Sequence, residues 1–115
     1  WVNRAAITAP FYKREVEISY QNMINNNYVA SGSVLLKRDI LNDIGLFNEE
    51  YLLAEDYDLW LRVVEKHKIN YIHEPLYLYN RDTINKNSLT SNPNNLQLLL
   101  DNVKKIKEES LNRRK

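Results

Sequence analysis

The sequence predicts an α/β fold: a short mixed sheet with flanking helices, closed by a C-terminal amphipathic helix. Three observations carry this. Short β-branched and aromatic runs alternate with helical patterns. A wide apolar pattern follows three acids at residues 55–58, as in a buried helix. Leucines at spacings of three and four follow an Asn-Pro start near the C-terminus. With 115 residues, the chain reads as a single domain over 1–115.

The first ten residues hold a short strand over 5–8, and residues 11–24 are irregular with a short helix. The run Asn25-Asn26-Asn27 forms a turn, because Asn tolerates left-handed geometry. Residues 28–36, "YVASGSVLL", read as a strand interrupted by small residues. Gly32 there marks a bulge or a place where a ligand or another backbone comes close. Residues 38–44 form a short helix, with Gly45 placed to end it in a left-handed cap. A loop over 46–53 carries apolar anchors. The following helix opens on Glu55, Asp56 and Asp58 and ends at Lys66-His67-Lys68, charges that suit the two ends of its dipole. "INYIHEPLYLY" gives two strands, 69–72 and 76–79, and residues 80–90 are a polar loop. Asn92 and Pro93 then open an amphipathic helix over 92–112, on which Leu96, Leu99, Leu100, Val103 and Ile106 share a face.

Composition narrows the function. The net charge is +1, so no global field draws the chain to nucleic acid or a membrane surface. The basic tail at 104–115 is interrupted by Glu108 and Glu109 and fits the solvated side of a helix. No apolar run approaches the roughly 20 residues of a transmembrane segment. Cys is absent, so thiolate metal sites and disulfides are excluded. His67 and His73 have no convergent ligand set around them, so no metal residue is assigned. P-loop, dinucleotide and nucleophile-elbow signatures are also missing. The chain starts at Trp1 without an initiator Met, which suggests a segment of a longer protein.

The acids at 55–58 invite two readings. Acids in a first helical turn satisfy its free N–H groups and suit its positive end. A carboxylate held there also suits a general base that takes a proton from a hydroxyl. The two are compatible, since one acid can serve the helix while its neighbour faces a pocket.

Context adds to the second reading. "ASGSVLLKRDILNDIGLFNEEYLLAEDYDLWLRV", then "YIHEPLYLYNR" and "NSLT", resemble in that order the C-terminal half of family 2 glycosyltransferases. These are inverting enzymes of the GT-A fold that use nucleotide-activated sugars. The resemblance spans residues 28–90. It implies a partial GT-A-type fold, with Asp56 as the catalytic base that deprotonates the acceptor hydroxyl. It places Glu55, Ser31, Gly32, Ser33 and Trp60 on the acceptor side, with Trp60 and Arg62 also fitting the buried body of the helix. Tyr79 and Arg81 match a donor-side Tyr-Arg element, although Arg81 is displaced by one position and a His common in relatives is absent.

The resemblance further implies a nucleotide-sugar donor and a sugar acceptor as partners. It implies a divalent metal, Mg or Mn, in the complementary nucleotide-binding half, and no cofactor in this half. A location in the cytoplasm or at the cytoplasmic face of the membrane fits the family. On this reading the isolated half is inactive. The alternative is a non-catalytic α/β interaction module. On either reading the isolated chain self-associates through core-facing surface left uncovered.

Overall fold

The computed structural model describes residues 17–74, 76–77 and 92–115. Four α-helices organise them: α1 (Tyr20–Met23), α2 (Arg38–Ile44), α3 (Glu55–Lys66) and α4 (Pro93–Arg113). A single 3₁₀ turn, Ser31–Ser33, lies between α1 and α2. Helix α3 is the centre, and α1, α2 and α4 all pack against it.

The mixed sheet is not there: the described residues are helical and contain no strand. The predicted strand over 28–36 is extended at Ala30 (φ −82°, ψ 123°) and Val34 (φ −95°, ψ 134°), but the turn at Ser31–Ser33 divides it. Residues 69–72 and the described part of 76–79 form no ladder either. The reason is physical. β-branched and aromatic residues prefer extended backbone locally, but a strand also needs a neighbour to take its N–H and C=O groups. No described segment supplies one. Leu35 is fully exposed, and Ile72 and Leu76 are largely so. The predicted strand over 5–8 and the loop over 80–90 lie outside the described residues.

The helices follow from local chemistry. Ser19 caps α1, its hydroxyl accepting from the Asn22 amide at 3.2 Å. Helix α2 stops at Gly45, whose N–H returns to the Leu41 carbonyl at 2.8 Å. Gly45 has φ 93° and ψ 178°, an extended mirror conformation open essentially to glycine alone and distinct from the predicted left-handed cap. Asn92 caps α4, accepting from the Asn94 amide at 3.0 Å, with Pro93 in the first turn. The turn after α1 uses no left-handed asparagine. Among the described non-glycine residues only Leu53 has positive φ, at 74°.

The core is built on α3. Tyr57, Leu59, Trp60, Leu61 and Val63 are buried on nearly every side of the helix, together with Ile18, Met23, Tyr51, Ala54 and Ile106. Three polar links tie the other helices to it. Arg62 on α3 donates to the carbonyls of Ile44 (2.9 Å) and Leu46 (2.7 Å), fastening the end of α2. The Tyr57 hydroxyl donates to the Met23 carbonyl at 2.6 Å, fastening α1. Glu65 accepts from Ser110 at 2.6 Å and pairs with Arg113 at 2.8 Å, fastening α4. The basic tail is thus partly spent inside the fold: besides the Arg113 pair, Arg114 stacks over Tyr20 at 4.0 Å. The predicted apolar stripe of α4 is covered only in part. Ile106 is buried and Leu99 and Val103 are partly so, whereas Leu96 and Leu100 are exposed.

Candidate functional site

The site is the N-terminal turn of α3. The chain enters it through Leu53, whose left-handed backbone costs a residue with a Cβ about 1–2 kcal/mol. That reversal lets the Ala54 amide reach the Tyr51 carbonyl at 2.9 Å and starts the helix at Glu55. Ala54 stands at the cap position and has no side chain to serve it. The predicted acidic cap therefore divides into separate jobs. Asp56 Oδ1 accepts from the Tyr57 amide at 2.7 Å. Asp58 caps nothing. It is 2% exposed, and its Oδ2 receives Arg62 Nε at 3.0 Å and Nη2 at 2.9 Å.

Asp56, like Glu55, is half-buried, whereas Asp58 is fully buried. Asp56 Oδ2 accepts from the Ser31 hydroxyl at 2.8 Å, across 25 residues of sequence. A serine and an amide from two separate segments thus orient one carboxylate, whose remaining lone pairs are open to a ligand. Gly32 is adjacent. A Cβ there would collide with the hydroxyl and ring of Tyr77, so the backbone approach anticipated at Gly32 is made by a tyrosine of this chain. Ser33 is not aimed at Asp56: its hydroxyl donates to the Ala30 carbonyl at 2.7 Å and closes its own turn.

Glu55 and Trp60 share a different property. Glu55 Oε2 and Trp60 Nε1 are buried with no hydrogen-bond partner among the described residues. Trp60 is 4% exposed, its ring edge-on to Phe47 at 6.4 Å between centroids. Buried polar atoms are normally satisfied, so an orphaned acceptor and an orphaned donor on the helix of Asp56 are notable. Tyr79 and Arg81 lie outside the described residues. Asp56, Glu55, Ser31 and Gly32 are therefore gathered around one helix end. Trp60 lies just over one helical turn further along α3, and Ser33 faces its own loop.

Tyrosines frame the site. The Tyr57 phenol is pushed up to about 12, first by burial and then by the charge of Tyr20, so it stays a hydroxyl donor to Met23. Burial, reinforced by a hydrogen bond to Glu109, raises Tyr51 further. On the side facing α4, Asp56 and Tyr57 border an open groove of about 300 Å³. Its other walls are the 25–27 turn, Leu53, Ala54 and the α4 residues Leu99, Leu100, Val103 and Lys107. The sequence reading missed Tyr77 and this groove. The asparagine triplet was visible as a turn, but its approach to α4 is a tertiary fact.

Among the described residues, no group of three His, Asp or Glu side chains converges to hold a metal ion. No helix among the described residues is long and apolar enough to cross a membrane. No protein-family model matches the chain, and no match was found among curated proteins or solved structures.

Proposed function

We propose that the chain is the acceptor-binding and catalytic-base half of an inverting, nucleotide-sugar-dependent glycosyltransferase, acting at the cytoplasmic side. The observation that carries the reading is the Ser31–Asp56 hydrogen bond. It joins the small-residue stretch to the Glu-Asp pair, the two motifs on which the resemblance rests. The reading concerns the site and does not require a sheet. Asp56 takes the proton of an acceptor hydroxyl while that oxygen attacks the anomeric carbon. The bond from that carbon to the donor phosphate breaks, and the nucleotide diphosphate leaves with the electron pair. Charge on the leaving group is met by the complementary half, where Mg or Mn would bind. The orphaned Glu55 Oε2 and Trp60 Nε1 support the acceptor side, because a sugar hydroxyl can both donate and accept.

The test is Asp56→Asn in the full-length enzyme. Loss of the base lowers kcat by about 10²–10⁴-fold, with donor binding unchanged. Near-normal turnover removes Asp56 from the role.

A second reading, a non-catalytic module that self-associates, is favoured by the exposed Leu35, Leu46, Phe47, Leu52, Ile72 and Leu76. Sedimentation analysis of the 115-residue chain tests the self-association that this reading needs: a concentration-dependent dimer or larger species is expected, and a monomer at high concentration counts against it.

A further inference from the structure

The groove between the 25–27 turn and α4 has a mixed lining, and the mixture is specific. Leu99, Leu100 and Val103 give it an apolar floor. Asn26, Asp56 and Lys107 stand on its rim. Asn26 is exposed, and its carboxamide makes no hydrogen bond within the described residues, so both its donor and its acceptor are free. Its neighbours are committed: Asn25 Nδ2 donates to the Gln21 carbonyl at 2.9 Å, and Asn27 Oδ1 accepts from the Val29 amide at 3.0 Å. Lys107 Nζ spends one donor on the Asn25 carbonyl at 3.0 Å and keeps two. The rim carries one carboxylate and one ammonium, which cancel. A phosphate or sulfate therefore finds no net attraction there, and neither does a polycation.

A pyranose ring matches this arrangement. It presents an apolar C–H face to an aliphatic floor and hydroxyls to an amide, a carboxylate and an amine. The volume of about 300 Å³ stands at the lower end of small-molecule sites, which run from about 300 to 1,000 Å³. We infer that this groove is the acceptor subsite and that it takes a neutral saccharide, its reacting hydroxyl at Asp56 and its far edge at Asn26 and Lys107. The inference rests on the transferase reading of Asp56 and goes beyond it. It moves the acceptor from the Gly32 side, where Tyr77 stands, to the α4 side.

The experiment is an amide-detected NMR titration of the 115-residue chain with the methyl glycosides of glucose, galactose, mannose and N-acetylglucosamine. At least one glycoside is expected to give saturable shifts at the Asn26 side-chain amide and at the backbone of Leu99, Leu100 and Lys107. Asn26→Ala should then weaken binding at least about fivefold, as loss of a hydrogen bond implies. Leu100→Trp, at a half-exposed position, should fill the floor and abolish the shifts with the spectrum otherwise intact. Absence of groove shifts with every glycoside overturns the inference. Shifts confined to residues 31–33 and 77 also overturn it, while leaving the transferase reading in place. If groove binding is retained while full-length Asp56→Asn turns over normally, the assignment of Asp56 as base fails and the saccharide site stands.

Discussion

Replacing Arg62 by methionine removes both donors that hold the buried Asp58 carboxylate while keeping most of the apolar stem. In the folded protein Arg62 Nε and Nη2 lie 3.0 and 2.9 Å from Asp58 Oδ2, and the same guanidinium ties down the carbonyls of Ile44 and Leu46. Leaving one member of a buried pair without its partner costs about 3–5 kcal/mol. The Arg62 side chain is 18% exposed, so water reaches part of the pair and the lower end, about 3 kcal/mol, applies. The Leu46 carbonyl is at the surface, where water replaces the guanidinium at little further cost, while the Ile44 carbonyl is part-buried and adds to the loss. A domain of this size has about 5–15 kcal/mol in all, so Arg62→Met should remove a large fraction of it. Urea unfolding followed by helical circular dichroism reads the change. The pair Asp58→Leu with Arg62→Met supplies the control, because it leaves no orphaned charge. The double variant should be more stable than Arg62→Met alone, with a coupling energy of about 1–3 kcal/mol. A loss under about 1 kcal/mol in Arg62→Met, or a double variant no better than the single, would refute the buried-pair argument.

Two pH dependences follow from the other links. The folded Tyr57 phenol is raised from 10.0 to about 12. Its contribution is therefore complete below pH 10 and is lost as pH rises toward 12, and Tyr57→Phe should flatten stability over that window in alkaline unfolding. Glu65 moves the other way. Burial raises it, but the hydrogen bonds from Arg113 and Ser110 and the charges of Arg113 and Arg114 outweigh that and leave it below its usual 4.5. Its contribution is present above pH 4.5 and falls away on acidification through the lowered folded value, so Glu65→Gln should lessen the acid sensitivity of thermal unfolding.

The helices were legible because their signals are local. Asn92 and Pro93 start α4, Gly45 ends α2, and the wide apolar pattern after Asp58 makes α3 the buried one. The sheet was misread because strand pairing is not local. "YVASGSVLL" has the composition of a strand, yet the hydroxyl of Ser33 folds it back onto Ala30 and no described segment pairs with it as a strand. The acids at 55–58 were legible as a group and not as individuals. Spacing cannot tell a carboxylate that faces a serine from one that faces an arginine. Asp58 has Arg62 four residues on, a pairing readable from helical spacing, which marks it as the acid that serves the helix.

Asp56 stands apart from the other two acids, bonded to a serine 25 residues away. An acid at a helix start needs no further explanation if it caps the helix, but the cap position of α3 belongs to Ala54. Asp56 spends one oxygen on the first-turn amide of Tyr57 and the other on Ser31, just after the left-handed turn at Leu53. Strain of about 1–3 kcal/mol persists where the surroundings over-determine it, and such positions cluster at functional sites. Here the surroundings are visible: Tyr51 and Ala54 are buried on either side, and the Asn102 carboxamide holds the Leu52 carbonyl at 2.9 Å. Helix α4 therefore does two jobs at the same place. Through Asn102 it supports the turn that presents Asp56, and through Leu99, Leu100 and Val103 it floors the groove that Asp56 borders. A helix that served only as a C-terminal brace would need Ile106, Ser110 and Arg113. The N-terminal half of α4 does both: Leu99 and Val103 pack on the core and also line the groove beside Asp56.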